Sequence, residues 1–283
     1  MCGIFGVLGD YYKGPNNLDL NLLQHRGPDA YGIEDFPEKK VLLAHTRLSI
    51  IDLDKRSNQP MISSCGRYYV IYNGEIFNFL NLRKDLEKNK LNFKTFSDTE
   101  VILNGYKKFG LNFFNKLNGI FSFAIYDKFK NIIHLVRDKS GVKPLYYKID
   151  NNSLIFSSEI KPIISYLSER VELDYKSLTN HLIYNFSPSP NVIFKDIKKI
   201  MPGNIKTFVS NSLTTTISLK LKYNIRKKSS NDQLFNDFED ILKQSIISQT
   251  ISDAPIGSFL SGGLDSSTIL YYASKSKPNM ETF

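Results

Sequence analysis

Short apolar runs dominate the first two hundred residues of the chain. Runs rich in branched and aromatic residues, bounded by glycine, proline, asparagine or aspartate, are typical of β-strands. They predict strands at Cys2–Leu8, Val41–Ala44, Tyr68–Tyr72, Gly119–Tyr126, Ile132–Val136, Leu145–Ile149 and Leu154–Ser158. Helices are predicted over Phe79–Lys88 and from Asp98 to Gly110, a residue type that suits the position after a helix end. This pattern indicates an α+β region in which strands outnumber helices.

A change of composition follows residue 209. Residues 210–231 are polar and basic, which predicts a last strand and then a linker. After this segment, mainly apolar side chains recur with a period of about 3.6 residues, which is typical of an amphipathic helix. Asn231 or Asp232 is predicted to cap its start. The residues on this stripe are Leu234, Phe235, Phe238, Ile241, Leu242, Ser245 and Ile246. A buried strand at Ala254–Leu260, a glycine-rich loop and a helix at Thr268–Ser274 come next, an order typical of the start of an α/β domain.

Composition excludes several classes of protein. Of the 283 residues, 41% are hydrophobic, enough for a packed core and unlike a disordered chain. The net charge of +9 is spread along the chain. Its densest run, Arg226–Lys228, accompanies neither zinc-ligand spacing nor an aromatic RNA-binding motif, so no nucleic-acid partner is expected. Two cysteines, Cys2 and Cys65, argue against a disulfide scaffold and for a reducing compartment.

The hydropathy of the chain predicts a cytoplasmic protein. Its first residues, MCGIFGVLGD, lack the basic region and the long apolar stretch of a signal peptide. A membrane-spanning helix needs a run of about 18 or more apolar residues, and the sequence contains none. No membrane partner is therefore expected.

Cys2 is the first candidate catalytic residue because it follows the initiator methionine. Removal of Met1 would leave a thiol and a free α-amine on one residue. Such an amine has a reference pKa of about 7.7–8.0, so it can act as the general base for the thiol near neutral pH. Taken alone, a cysteine at this position is better explained as a small buried side chain.

Five motifs accompany Cys2 along the chain: MCGIFGV at the start, HRGPD at 25–29, RLSI at 47–50, NGE at 73–75 and SD at 97–98. In this order they resemble the class II, or N-terminal-nucleophile, glutamine amidotransferases, and most closely the glutamine-hydrolysing asparagine synthetases. The resemblance continues through RDKSGVKPLYY at 137–147 and FSSEIK at 156–161. It implies an αββα glutaminase domain over residues 2–209, a linker over 210–231, and the truncated start of an α/β adenine-nucleotide-binding synthetase domain over 232–283.

The resemblance also implies a role for each motif. Cys2 attacks the side-chain amide of glutamine, and the Asn73 amide and Gly74 N–H stabilise the oxyanion. Arg47 binds the carboxylate of glutamine, and Asp98 faces its ammonium group. The implied glutamine-binding residues are Arg47, Leu48, Ser49, Ile50, Ile51, Asn73, Gly74, Glu75 and Asp98. His25 is expected to be structural rather than a general base, and Cys65 incidental.

Simpler interpretations of these motifs remain open at the level of sequence. Ser97 and Glu100 fit a capping box, in which Ser97 or Asp98 merely caps a helix. Asn73-Gly74 is a common turn dipeptide. Arg47 equally suits a surface ion pair.

A second candidate site is the segment SGGLDSS at 261–267. Because it follows a predicted strand and opens a helix, its N–H groups suit an anion. It lacks the Gly-Lys-Ser/Thr of a Walker A loop and resembles the loop of the ATP pyrophosphatases, which adenylate a carboxylate. The implied ATP-binding residues are Leu260, Ser261, Gly262, Gly263, Leu264, Asp265 and Ser266. Asp265 is a candidate contact for nucleotide-borne Mg²⁺, and no tightly bound cofactor is expected. A plain glycine turn is the alternative.

Together the two sites imply a coupled reaction. Ammonia released from glutamine would pass through an internal tunnel and attack aspartyl-AMP, giving asparagine, AMP and pyrophosphate. The expected partners are the small molecules glutamine, ATP and aspartate, and the resemblance suggests a homodimer. Because the sequence stops at Phe283, early in the second domain, this chain alone is expected to make no asparagine. The alternatives are amidation of another carboxylate, such as a sugar acid, and an inactive or glutaminase-only fragment.

Overall fold

The computed structural model describes residues 1–150, 152–168, 170–209, 212–219 and 230–283, with the main chain alone at 212–217. The chain divides into two compact units. The first comprises Met1–Ser49 and Asp54–Lys220, and the second comprises Ile50–Leu53 and Leu221–Phe283. Within the predicted linker, residues 210–211 and 220–229 lie outside the described residues.

Two six-stranded antiparallel sheets form the centre of the first unit. The first sheet has the strand order β10-β8-β9-β1-β3-β2, and the second has the order β12-β11-β7-β6-β5-β4. The strands are β1 Gly3–Leu8, β2 Ala30–Phe36, β3 Val41–Arg47, β4 Met61–Ile62, β5 Tyr68–Ile76, β6 Gly119–Asp127, β7 Ile132–Arg137, β8 Tyr146–Asp150, β9 Ser153–Ser157, β10 Ile197–Lys199, β11 Asn204–Val209 and β12 Ser212–Ser218.

Helices cover the outer faces of these sheets. The helices of the first unit are α1 Asn21–Gln24, α2 Phe79–Lys88, α3 Asp98–Phe109, α4 Ile160–Leu167 and α5 Tyr175–Tyr184. Ile163 and Tyr166 of α4 pack on the first sheet, and α3 contacts β5 of the second. With the sheets between them, the helices give the αββα layering that the resemblance implied.

Alternation along the strands determines which side chains face the other sheet. Ile4 and Leu43 of the first sheet pack with Ile71 of the second in one buried cluster. Phe5 and Leu42 point the opposite way, into the cluster beneath α4. Because strand side chains alternate with period two, the even positions of β1 and the odd positions of β3 and β5 face the space between the sheets.

The second unit contains α6 Asn231–Ser248, α7 Leu264–Ser276 and two short parallel strands, β13 Gly257–Ser258 and β14 Glu281–Thr282. Ile246, Tyr272 and Ala273 form its small buried cluster. In the described part of the chain, no helix is long and apolar enough to cross a membrane.

Several predictions about elements are confirmed and others are wrong. Helix α2 has the predicted bounds, and Gly110 follows the end of α3. The cap of α6 is Ser230, whose Oγ accepts from Gln233 N, rather than Asn231 or Asp232. The buried strand at Ala254–Leu260 is also wrong. Within this range only Gly257–Ser258 is a strand. Among the described residues it pairs with β14 alone, and its neighbours are exposed, Phe259 by 86%.

Candidate active site

Cys2 lies directly before β1, at the end of the space between the two sheets. The pairing of Gly3 with Thr46 in β3 brings Cys2 beside Leu48. The Leu48 N–H donates to the Cys2 Sγ at 3.4 Å, and the Leu48 carbonyl lies 3.7 Å from the same sulfur. Burial raises the pKa of the Cys2 thiol, and the Leu48 N–H partly offsets that effect. A nearby base is therefore needed to generate the thiolate.

The main chain of Cys2 is held by two residues whose contribution the sequence did not reveal. Arg26 Nε donates to the Cys2 carbonyl at 3.1 Å, and Arg26 Nη1 pairs with Glu159 Oε1 at 2.9 Å. His25 Nε2 lies 2.7 Å from the same Glu159 oxygen. The HRGPD and FSSEIK motifs contain these residues, but only the fold shows that they meet.

Asn73 lies inside β5 and is completely buried. It shares the face of Ile71, so its side chain points towards the first sheet. Neither its Oδ1 nor its Nδ2 has a hydrogen-bond partner among the residues that the structure describes. Buried side-chain amides are nearly always paired, so an unpaired one indicates a group reserved for a ligand.

Gly74 follows Asn73 in the middle of the same strand, with φ 154°. A Cβ at this position would overlap the Ile120 carbonyl and lie 2.6 Å from Phe121 Cα in the neighbouring strand β6. Glycine is therefore required by this close approach of two main chains. The alternative interpretation of Asn73-Gly74 as a turn is wrong, because both residues belong to the β5–β6 ladder.

Arg47 is the last residue of β3 and only 5% exposed. Its Nη1 donates to the Asp54 carbonyl at 3.0 Å and to Asn58 Oδ1 at 2.7 Å. Because Arg47 is buried, the surface position considered for it is wrong. These bonds fix the plane of the guanidinium group, which presents donors in a geometry that matches a carboxylate.

Asp98 is the first residue of α3, and its buried carboxylate accepts two hydrogen bonds. Tyr72 Oη donates to Asp98 Oδ2 at 2.7 Å, and the Ile76 N–H donates to the same oxygen at 3.0 Å. Burial raises the pKa of Asp98, and these two donors act in the opposite direction. Ser97 caps α3 by accepting from Thr99 N.

The capping-box interpretation is thus only half correct. Glu100 does not return to the Ser97 N–H; its carboxylate accepts from Lys94 N and from Thr95. Capping by Ser97 leaves the Asp98 carboxylate engaged with β5.

Of the remaining predicted glutamine-binding residues, Ser49 and Glu75 belong to the first unit. The Ser49 N–H donates to Asp29 Oδ2 at 2.7 Å. Burial, followed by the charge of Asp98, raises the pKa of Glu75, and the Lys143 ammonium lowers it. Ile50 and Ile51 belong to the second unit.

The segment SGGLDSS has the predicted strand–loop–helix order within the second unit. It follows β13 and continues into the first turn of α7, with Gly262 at φ 78° and Gly263 at the N-cap of the helix. Ser261 Oγ lies 3.0 Å from Ser266 Oγ, and Ser266 Oγ donates to the Gly263 carbonyl. Helix N–H groups thus open towards an exposed loop, the arrangement that suits a phosphate. Across the described ranges, no group of three or more His, Cys, Asp or Glu side chains is placed to hold a metal ion.

Comparison with known proteins identifies the family. The profile of the glutamine amidotransferase domain matches residues 1–219. The chain belongs to this family. The profile of asparagine synthase matches residues 237–283 of this glutamine amidotransferase, the part that contains α7 and the segment SGGLDSS.

Similar sequences cover the amidotransferase from end to end. It is 34% identical over 291 residues to asparagine synthetase [glutamine-hydrolyzing] 1 of Bacillus subtilis (strain 168), covering 100% of this chain and 45% of the relative. It is 35% identical to asparagine synthetase 3 of the same organism, with 95% and 44% covered. A putative asparagine synthetase 2 of Methanocaldococcus jannaschii is 33% identical, with 95% and 56% covered. The chain thus spans about half the length of these relatives.

Two solved structures share the fold. Glutamine phosphoribosylpyrophosphate amidotransferase from B. subtilis, complexed with ADP and GMP, superimposes with a TM-score of 0.55 at 18% identity, covering 100% of this chain and 65% of that one. A structure titled as the allosteric regulatory enzyme of purine biosynthesis gives a TM-score of 0.58 at 18% identity, with 100% and 64% covered. These likenesses support the mixed α/β fold.

Proposed function

We propose that the first unit hydrolyses glutamine at Cys2 and that residues 2–209 form its glutaminase domain. Once Met1 is removed, the α-amine of Cys2 takes the thiol proton. The thiolate then attacks the amide carbon of glutamine. The resulting oxyanion is stabilised by Asn73 Nδ2 and the Gly74 N–H. Collapse of this intermediate transfers the proton to the leaving nitrogen, releases ammonia and leaves a thioester, which water hydrolyses to glutamate.

The observation that carries this proposal is the buried, unpaired side-chain amide of Asn73, which faces the space between the sheets that Cys2 adjoins. An unpaired amide costs free energy in the empty protein and gains its partner only when a charged oxygen is present. Arg47 and Asp98 add a fixed cation and a buried carboxylate, the two charges that the α-carboxylate and α-ammonium of glutamine require.

We also propose that the ammonia serves an ATP-driven amidation, with aspartate as the acceptor and asparagine as the product. In this proposal residues 232–283 begin a synthetase domain. ATP binds at Leu260–Ser266, and Asp265 contacts its Mg²⁺. The asparagine synthase profile over residues 237–283 and the loop geometry at the start of α7 support this assignment.

A glutaminase assay tests the first proposal. The purified chain is incubated with glutamine, and glutamate is measured for the unaltered protein, Cys2→Ala and Cys65→Ala. Cys65 is the other free cysteine and lies exposed at the surface, so it is a matched control. Cys2→Ala is expected to abolish glutamate release and Cys65→Ala to preserve it. Equal release by the unaltered protein and Cys2→Ala would remove Cys2 from the mechanism.

The acceptor is tested with the protein in the form in which its own cells contain it, because the chain spans about half the length of the asparagine synthetases that it matches. It is supplied with glutamine and ATP, together with either aspartate or a sugar acid, and the release of AMP and the amidated product are followed. Aspartate-dependent formation of asparagine is expected. Amidation of the sugar acid alone would contradict aspartate as the acceptor, and absence of AMP would contradict an adenylating synthetase.

A further inference from the structure

His45 is a completely buried histidine that connects the two sheets of the first unit. It lies on β3 opposite Ile4, and its odd position faces the second sheet, like Leu43 and Arg47. Its Nε2 lies 3.0 Å from the carbonyl oxygen of Tyr72, on β5. A carbonyl oxygen only accepts, so Nε2 carries the proton. In the described part of the chain, Nδ1 has no partner, so the polar contact of the ring is with Tyr72.

The accepting carbonyl belongs to the peptide unit that precedes the side chain of Asn73. The Tyr72 C=O and the Asn73 N–H lie in one plane because the peptide bond is planar. A hydrogen bond to this carbonyl therefore fixes the plane from which the Cα and side chain of Asn73 project. The other polar groups of Tyr72 are also paired. Its N–H donates to Gln59 Oε1 at 2.7 Å, and its hydroxyl donates to Asp98.

Asn73 itself has no polar contact that would orient its amide. Both of its side-chain polar atoms lack partners among the described residues. Its orientation in the empty protein therefore depends on packing and on the main chain on either side. The close approach of Gly74 to Ile120 restricts the orientation of the peptide that follows Asn73. The hydrogen bond from His45 restricts the orientation of the peptide that precedes it.

We propose that His45 is a positioning residue that holds the Tyr72–Asn73 peptide and thereby aims the Asn73 amide at the oxyanion. The proposal rests on the proposed hydrolysis of glutamine at Cys2. His45 donates to the protein, not to the substrate, so its effect is transmitted through the orientation of Asn73.

The electrostatic state of His45 suits a permanent donor. Burial lowers the pKa of its imidazole to about 3, with a smaller lowering by the Arg47 charge and an opposing effect of the Tyr72 carbonyl. The ring therefore stays neutral, with its proton on Nε2, throughout the pH range in which an α-amine acts as a base.

The test compares His45→Leu, which removes the donor, with His45→Gln, which restores an N–H donor. His134→Leu is the matched control, because His134, on β7, is also buried and is hydrogen-bonded to Tyr106 and Thr207 rather than to the main chain beside Asn73. His45→Leu is expected to lower the kcat for glutamine hydrolysis about tenfold to a hundredfold, with KM unchanged. His45→Gln recovers part of the loss, and His134→Leu leaves kcat unchanged.

A double-variant cycle separates positioning from a general loss of structure. If His45 acts through Asn73, His45→Leu causes no further loss of kcat in an Asn73→Ala background. An equal loss of kcat in both backgrounds would overturn the proposal.

A measurement independent of activity completes the test. The side-chain amide resonances of Asn73, observed with nitrogen-labelled asparagine, are expected to move in His45→Leu and to return towards their original positions in His45→Gln. Unchanged resonances in His45→Leu would overturn the positioning role. Failure of the Cys2 proposal appears separately, as glutamate release that survives Cys2→Ala.

Discussion

The hydroxyl of Tyr72 donates a 2.7 Å hydrogen bond to Asp98 Oδ2, joining the strand that contains Asn73 to the first turn of α3. Both residues are almost fully buried. Burial and the nearby Asp98 charge raise the pKa of the Tyr72 phenol far above its ordinary value, so it remains a donor. The bond therefore favours the charged form of Asp98 and opposes burial, which raises the pKa of this carboxyl group.

Replacing Tyr72 by phenylalanine is expected to weaken glutamine binding. Loss of the donor raises the pKa of Asp98 further and weakens its contact with the substrate ammonium. We expect KM to rise roughly tenfold, equivalent to about 1–2 kcal/mol, with kcat little changed. The rise is expected to be larger at mildly acidic pH, where more of Asp98 is protonated.

A matched control for this change is Tyr126→Phe. Tyr126 is a buried tyrosine in the same sheet, and its hydroxyl donates to Asn131 Oδ1 at 2.9 Å. The Tyr126→Phe variant is expected to be less stable than the unaltered protein but to have the same KM for glutamine. An equal rise of KM in the two variants would contradict the role assigned to Tyr72.

Gly74→Ala is expected to inactivate the glutaminase. The added Cβ overlaps the Ile120 carbonyl and separates β5 from β6, displacing the donor that follows Asn73. Loss of one oxyanion donor lowers kcat about a hundredfold to a thousandfold. Gly66→Ala is the control, since Gly66 also has a positive φ but a Cβ added there would meet no atom within 4 Å. Thermal unfolding of both variants distinguishes strain from loss of function, and full activity in Gly74→Ala would refute the close-packing argument.

Lys143→Met is expected to shift the pH profile of glutamine hydrolysis. Lys143 is 9% exposed, and its positive charge adds to burial in lowering the pKa of the Met1 α-amine, next to Cys2. The same charge is expected to act on the Cys2 α-amine that is exposed when Met1 is removed. Without that charge the amine pKa rises. The acid limb of kcat/KM therefore moves to higher pH by a fraction of a unit, because the base must be neutral. Lys143→Arg keeps the positive charge and should leave the acid limb of kcat/KM at its original pH. An equal shift of the acid limb in both variants would exclude this electrostatic role.

His134 gives the first unit a predictable sensitivity to acid. Burial lowers its pKa from 6.5 to about 4. The unfolded chain therefore binds a proton that the folded chain does not, and stability is lost as pH falls from 6.5 towards 4. The full effect is about 3 kcal/mol.

Chemical denaturation at a series of pH values checks this contribution of His134. The unfolding free energy of His134→Gln should depend less on pH than that of the unaltered protein between pH 6.5 and 4. The difference between the two proteins is thus expected to shrink as pH falls. A difference that is constant with pH would show that His134 does not titrate in this way.

Local patterns predicted the regular elements well where one face of an element is buried. Helix α2 has the predicted bounds because its apolar residues Phe79, Leu82 and Leu86 follow a single buried stripe. Ala254–Leu260 is equally apolar in sequence, yet in the described part of the chain β13 pairs with β14 alone, and the residues around it are largely exposed. Hydrophobic content indicates a tendency to be buried, whereas burial itself depends on neighbouring elements.

In the candidate site, too, local sequence predicted some features, whereas others depend on contacts between distant parts of the chain. The motifs predicted Cys2 and Asn73 as site residues from a resemblance. However, Arg26 meets Glu159 across 133 residues of sequence, and no local pattern encodes that pairing. Asn73-Gly74 was ambiguous because the dipeptide also suits a turn; only the register of β5 with β6 decides between the two. His45 looks like one more position in an apolar strand until the second sheet supplies Tyr72.

The unpaired amide of Asn73 also bears on protein engineering. A buried amide without partners costs about 1–3 kcal/mol, so an apolar side chain of similar size at this position would raise the melting temperature. Screening variants for heat resistance alone would therefore enrich replacements of Asn73 and select against turnover. Any thermostable version of this protein should be chosen by glutamate release first and by melting temperature second.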